Sequence, residues 1–261
     1  MGGANEQGGP IGTDATTMFL GEVVSRLERL AERPNPSIDA AVTLIADAVL
    51  AGGVVQAFGT GHSEAFAMEI AGRAGGLIPT NRIALRDVVL YGGRDASELV
   101  GATMERDGSV IGELLGGVQL HPADVFLIAS NSGVNGSIVE MALLAKRQGH
   151  HVVAITSCEH TTAVDPKHSS GQRLSDVADV VVDNLAPYGD TTLDVQGGIG
   201  VGAVSSMTAA FIAQLLTIRV AERLIVAGET PPVYLSANIP GGDEHNHALE
   251  DRYGGRIRRS A

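Results

Sequence analysis

Apolar residues recur at Phe19, Val23, Leu27 and Leu30, the spacing of one helical face, and predict an amphipathic helix over 18–32. Arg33-Pro34-Asn35-Pro36 interrupts it, and Ser37 is placed to cap a second helix over 38–50. From Val54 the pattern changes to short runs that are apolar throughout, separated by helix-period stretches. These runs predict strands over 54–58, 83–90, 124–129, 151–156 and 179–183. Between them the pattern predicts helices over 63–74, over 96–116 with an irregular start, and over 136–148, and a polar connection over 158–176. A long helix of small residues is expected over 199–226. Pro231-Pro232 and Gly241-Gly242 then frame an extended tail, with a last short helix near Asn246.

Strands with no polar alternation belong to a parallel sheet covered on both faces, so the fold class is α/β, a doubly wound five-stranded parallel sheet flanked by helices. The division that follows is a disordered tail over 1–16, one domain with its N-terminal helical appendage over 17–226, and a C-terminal tail over 227–261. The appendage, and the Gly, Ala and Ser positions of the long helix, suit contact with a second subunit. A homodimer or homotetramer is expected.

Composition narrows the partners. Among 261 residues there are 18 Lys and Arg against 30 Asp and Glu, a net charge of −12, which opposes nucleic acid or an anionic membrane as partner. Aromatics are 3 % with no Trp, so no stacking platform for single strands is available. No basic helix-turn-helix precedes the domain. The N-terminus lacks the basic start and apolar run of a signal peptide, and the apolar run over 209–216 is too short to span a bilayer; a cytoplasmic protein is expected. Cys158 is the single cysteine, excludes an intrachain disulfide, and reads as a structural thiol. His150, His151 and His160 lie outside ligand spacing and read as surface histidines.

Two strand exits carry the candidate chemistry. The first leads into Gly59-Thr60-Gly61-His62-Ser63, the second into Ser130-Asn131-Ser132-Gly133-Val134-Asn135-Gly136. Each opens a helix, whose first N–H groups lack carbonyl partners and carry partial positive charge, so each is an anion cradle. Ligands of open parallel sheets bind at the carboxyl ends of strands, and Thr156-Ser157 adds hydroxyls at a third exit. One ligand carrying a phosphate fits this arrangement; ordinary turn and cap duty is the alternative. The first turn is not a dinucleotide fingerprint, because His62, Ser63 and Glu64 follow Gly61 and the third glycine is missing.

Phe58-Gly59-Thr60-Gly61-His62-Ser63 and Ala129-Ser130-Asn131-Ser132-Gly133-Val134-Asn135 resemble the two phosphosugar-binding turns of the SIS (sugar isomerase) domain family. The resemblance covers about residues 38–226 and points to a phosphosugar-binding branch. It implies a flavodoxin-like sheet, no cofactor and a sugar-phosphate ligand. Phosphate would rest on Ser130, Ser132 and Asn135, with Asn131 beside them and Thr156 and Ser157 as further donors. Gly59, Thr60, Gly61, His62 and Ser63 would line the sugar.

Glu69-Ile70-Ala71-Gly72-Arg73 resembles the Glu-X-X-Gly-Arg segment of phosphoheptose isomerases, where the Glu carries a proton and the Arg helps hold substrate. The same spacing also fits a solvated salt bridge. Those enzymes carry a His in the final long helix, and 201–226 has none; the zinc-binding His of some falls on Ala65, so no metal is implied. Gly101-Ala102-Thr103-Met104-Glu105 resembles the segment of N-acetylmuramic acid 6-phosphate etherases whose Glu removes the C2 proton, with a charged loop through Arg106 and Asp107 as the alternative. C-terminal segments of such enzymes close over a site, sometimes a neighbour's. His245 would then replace the missing helix His and Glu244 would serve as an acid; a flexible end is the alternative.

The expectation is a carbon–oxygen lyase that abstracts the C2 proton of an amino-sugar 6-phosphate, N-acetylglucosamine 6-phosphate foremost. Glu105 or Glu69 is the base, and the C3 hydroxyl leaves as water. An aldose–ketose isomerase using Glu69 and His245, and a non-catalytic phosphosugar sensor, are the alternatives.

Overall fold

Asn35 accepts a bond from the Ile38 N–H at 3.3 Å and Pro36 takes the first helical position, so Asn35 and not Ser37 caps the second helix. The structure, a computed structural model, describes residues 14–258 apart from residue 102. Residues 1–13 of the expected tail lie outside the described residues, and residues 15 and 16 are already helical. The chain runs α1 (Ala15–Ala31), α2 (Pro36–Leu50), β1 (Val55–Gly59), α3 (Glu64–Ile70), β2 (Thr80–Ile83), α4 (Asp87–Leu90), α5 (Thr103–Arg106), α6 (Val110–Gly116) and β3 (Val125–Ala129). It continues through α7 (Gly136–Arg147), β4 (His151–Thr156), α8 (Cys158–Ala163), α9 (Leu174–Val177) and β5 (Val180–Asp183). A hairpin of β6 (Thr191–Gln196) and β7 (Ile199–Ala203), then α10 (Ser205–Val226) and α11 (Gly242–Glu250), complete it.

β1 to β5 form one parallel sheet in the order β2-β1-β3-β4-β5. Connections leave β1 toward opposite edges, so the crevice of this doubly wound sheet opens between the exits of β1 and β3. Their register pairs Gly59 with Ala129, which brings Thr60 and Ser130 out of the sheet side by side. The core is split by the pleat. Val55, Ala57, Val125, Leu127, Val153 and Ile155 bury one face against α2, α3 and α10, while Phe58, Phe126, Ile128, Val152 and Ala154 bury the other against α6 and α7.

Three expectations change. The second strand is β2, earlier and shorter than 83–90, because Asp87 accepts from the Ala84 N–H at 3.1 Å and turns the chain into α4. The helix expected over 63–74 stops at Ile70. The helix expected over 199–226 begins at Ser205, since Gly197 and Gly198, at φ of 64° and 80°, turn β6 back on β7.

The C-terminal tail pairs Val233 with Leu77, and Asn246 clamps the N–H and C=O of Leu235 at 2.9 Å each. Arg256 donates to Gly52 O at 2.6 Å and to the fully buried Asp124 at 3.3 Å. Gly52 and Asp124 sit at the amino ends of β1 and β3. Within its own chain the tail therefore seals the end of the sheet opposite the cradles rather than closing over them.

Candidate functional site

A cavity of about 490 Å³ lies over the strand exits, lined by Thr60, Gly61, His62 and Ser63 from the first loop and Ser130, Asn131, Ser132 and Asn135 from the second. Glu105 joins them. Gly59 is the last residue of β1 and must be glycine, since a β-carbon there would run into the Ser63 carbonyl. Gly133 takes φ of 66° to fold the second loop, and the Ser130 hydroxyl accepts the Gly133 N–H at 3.1 Å while keeping its own O–H to donate. Asn135 opens the twelve-residue α7 without capping it. Its amide donates instead to Glu105 Oε1 at 2.5 Å.

Glu105 is thus held between the two cradles. Ser137 Oγ donates to its carbonyl at 2.6 Å, and its Oε2 lies 3.5 Å from where a β-carbon on Gly61 would stand. Beyond Gly61 and Glu105 a second chamber of about 310 Å³ opens, with Leu85, Leu99 and Met104 in its wall and the Arg86–Glu64 ion pair at its edge.

Six lining residues come from outside the motifs read in the sequence: His160, Gly189, Asp190, Ala203, Ser205 and Ser206. His160 is not a surface histidine. Ser157 Oγ caps the His160 N–H at 2.9 Å, the ring stacks on Tyr188 at 5.2 Å, and Nδ1 accepts the Gly189 N–H at 3.0 Å. An N–H only donates, so Nδ1 carries no proton and the neutral ring holds its proton on Nε2. Asp190 accepts from Val204 N–H, Ser205 N–H and Ser205 Oγ at 3.2, 2.8 and 2.6 Å, which seats the N-terminus of α10 at the cavity. The Gly-Gly turn between alternating apolar residues, and the Ser-Ser that opens α10, are the sequence signals that mark this region.

Other candidates are placed elsewhere. Thr156 and Ser157 are fully buried: Thr156 donates to Asn131 O at 3.2 Å and Ser157 to Ala186 O at 2.6 Å, so they brace the second loop from beneath. Glu69 pairs with Arg73 and accepts from Gln214 of α10 at 2.6 Å; neither Glu69 nor Arg73 lines the cavity. His245 bonds Val233 O at 3.0 Å at the amino-end side of the sheet, and Glu244 is its neighbour in α11. His150 is buried, donating to Asp124 O at 3.1 Å beside Phe126, whereas His151 is exposed. Burial first, then the nearby Asp183 carboxylate, push the Cys158 thiol up, away from nucleophilic use. No described helix is long and apolar enough to cross a membrane.

A flavodoxin-ordered sheet with two hydroxyl- and amide-rich loops at its switch point defines an α/β domain with its binding crevice at the strand exits. The chain belongs to the SIS domain family, whose sequence profile matches residues 18–157. A UPF0309 protein of Listeria monocytogenes is 38 % identical over 240 residues, 92 % of this chain and 97 % of that one. One from Brucella abortus is 36 % identical over 242 residues, with 92 % and 97 % covered. Among solved structures, a phosphoheptose isomerase from Francisella tularensis superposes with a TM-score of 0.52 at 17 % identity, covering 80 % of this chain and 97 % of that one. A Bacteroides fragilis protein described as a candidate phosphosugar isomerase involved in capsule formation gives 0.51 at 18 %, covering 81 % and 91 %.

Proposed function

We propose that the protein is a sugar-phosphate-processing enzyme whose first chemical step is removal of the C2 proton by Glu105. The observation that carries this reading is the Asn135–Glu105 contact, which fixes a carboxylate beside the helix N-terminus that would hold the phosphoryl group. The phosphate accepts from Ser132, from the free O–H of Ser130 and from the first-turn N–H groups of α7. The sugar runs toward Thr60, Gly61 and His62. His160 replaces the role first given to His245: its Nε2–H donates to the substrate carbonyl oxygen and stabilises the enediolate as Glu105 takes the proton.

Aldose–ketose isomerisation follows when the O2 hydroxyl proton passes to O1, with His160 as the relay, and Glu105 returns the abstracted proton to C1. Its requirements, one carboxylate shuttle and one neutral donor, match this lining, since Asp190 is engaged as acceptor by α10. The descriptions of the two structural neighbours as phosphoheptose and phosphosugar isomerases accord with it. A second reading is favoured by the chamber behind Glu105, whose wall of Leu85, Leu99 and Met104 suits an N-acyl group. A C2 acylamino substituent blocks the ketose, so loss of the C2 proton would instead expel the C3 hydroxyl as water, giving a dehydratase for an N-acetylhexosamine 6-phosphate. Self-association and Glu69 or His245 acting on a partner subunit's site remain part of the proposal.

Incubation of hexose, heptose and N-acetylhexosamine 6-phosphates in deuterated water, followed by NMR, tests it. Deuterium at C1 of a ketose product and at C2 of the recovered aldose identifies the isomerase, and an unsaturated absorbing product identifies the dehydratase. Saturable binding without exchange would overturn the enzyme reading in favour of a sensor.

A further inference from the structure

A second cavity, of about 520 Å³, lies on the other side of the 105–106 peptide. Arg106, Arg147, Lys167 and His168 face it together with the hydroxyl-bearing Ser109 and Ser169. Two carboxylates also line it, and both have partners in the chain. Glu140 is shared by Arg147 at 2.5 Å and His168 at 3.0 Å, and Asp107 accepts the Ser109 N–H at 2.8 Å. The Arg106 guanidinium and the Lys167 ammonium have no acidic partner among the described residues. In a chain of net charge −12, a concave surface of this size with two unengaged cations and two hydroxyls is suited to a small anion.

We propose that this cavity is a second binding site, for a small phosphorylated anion, distinct from the cradles at the strand exits. Arg106 and Lys167 hold the phosphoryl oxygens as charge-assisted donors, and Ser109 and Ser169 add neutral ones. The site is wired to Glu105 through the backbone. Residue 105 faces the cradle cavity and residue 106 faces this one, while the Arg106 carbonyl lies so close to Gly136, the first residue of α7, that a β-carbon there would run into it. An anion that draws Arg106 outward therefore shifts Glu105 relative to Asn135. The binding claim is independent of the proposed activity; the coupling rests on it.

Calorimetric titration of the full chain with inorganic pyrophosphate tests the binding. Two ions per chain are expected. Lys167→Glu, at an exposed position, is expected to weaken one of them at least about tenfold, with Lys167→Arg restoring it, while Ser132→Ala weakens only the other. In the exchange assay, pyrophosphate at a level that spares the cradles changes the rate of the parent chain but not that of Lys167→Glu. A single ion per chain that responds to Ser132→Ala and ignores Lys167→Glu overturns the second site. A single ion that responds only to Lys167→Glu upholds it and overturns the sugar-phosphate reading instead.

Discussion

At the residue scale, the proposed chemistry turns on Glu105 and the Asn135 amide that holds it. Glu105→Gln keeps the amide-sized group in place and removes the base, so C2 exchange is expected to fall by about 10²- to 10⁴-fold with sugar-phosphate affinity retained, as single-turnover exchange and equilibrium binding would show. Asn135→Asp sets a second carboxylate against the first. Like charges favour protonation of one of them, so the acid limb of the rate profile is expected to move to higher pH. His160→Gln retains a donor but not the stacked ring or the fixed tautomer, and should lower turnover more than affinity. That the two loops meet at one cavity was legible because each follows an apolar strand whose exit carries Ser, Asn and Gly. His160 was not, because its role depends on Gly189 reaching Nδ1 across 29 residues of chain.

At the scale of elements, the strands were legible wherever both faces are buried, as in β1, β3 and β4. The edge strand β2 was misplaced, since the apolar residues after Ile83 serve the turn and α4, where local hydrogen bonding outweighs strand propensity. The hairpin was hidden because its alternating residues continue straight into the small-residue pattern of α10. Two predictions belong here. Gly133→Ala places a β-carbon at positive φ, 3.0 Å from Thr161 Oγ1 and 3.2 Å from Thr156 Oγ1, and should destabilise the fold by more than about 1 kcal/mol in urea titration. Asp179 ties α7 to β4. Burial alone pushes its carboxyl up, but Lys146 at 2.6 Å, the Val152 N–H at 2.8 Å and the neighbouring His151 outweigh it and hold the carboxyl below the usual 3.8. Its contribution is thus complete above the ordinary carboxylate value and is lost as pH falls through the lower folded one. Asp179→Asn should flatten that acid limb of the stability curve without altering the plateau's slope.

At the scale of the whole molecule, the sheet has a working end and a fastened end. The tail was read as a lid on its own polar residues, yet its partners, Gly52, Leu77 and Asp124, are scattered over early parts of the chain and no short-range pattern reveals them. Arg256→Ala strips the guanidinium from a fully buried carboxylate and should cost about 3 kcal/mol by thermal or urea unfolding, with the exchange activity of the remaining folded protein unchanged. The working end is set by backbone, not side chains. Because Gly136 and the Arg106 carbonyl touch without room for a methyl group, the proposed spacing of anion and base is set where the backbones of α5 and α7 meet. If the proposed roles hold, a sugar of different chain length calls for α5 to shift against α7, and swapping side chains in the pocket does not suffice.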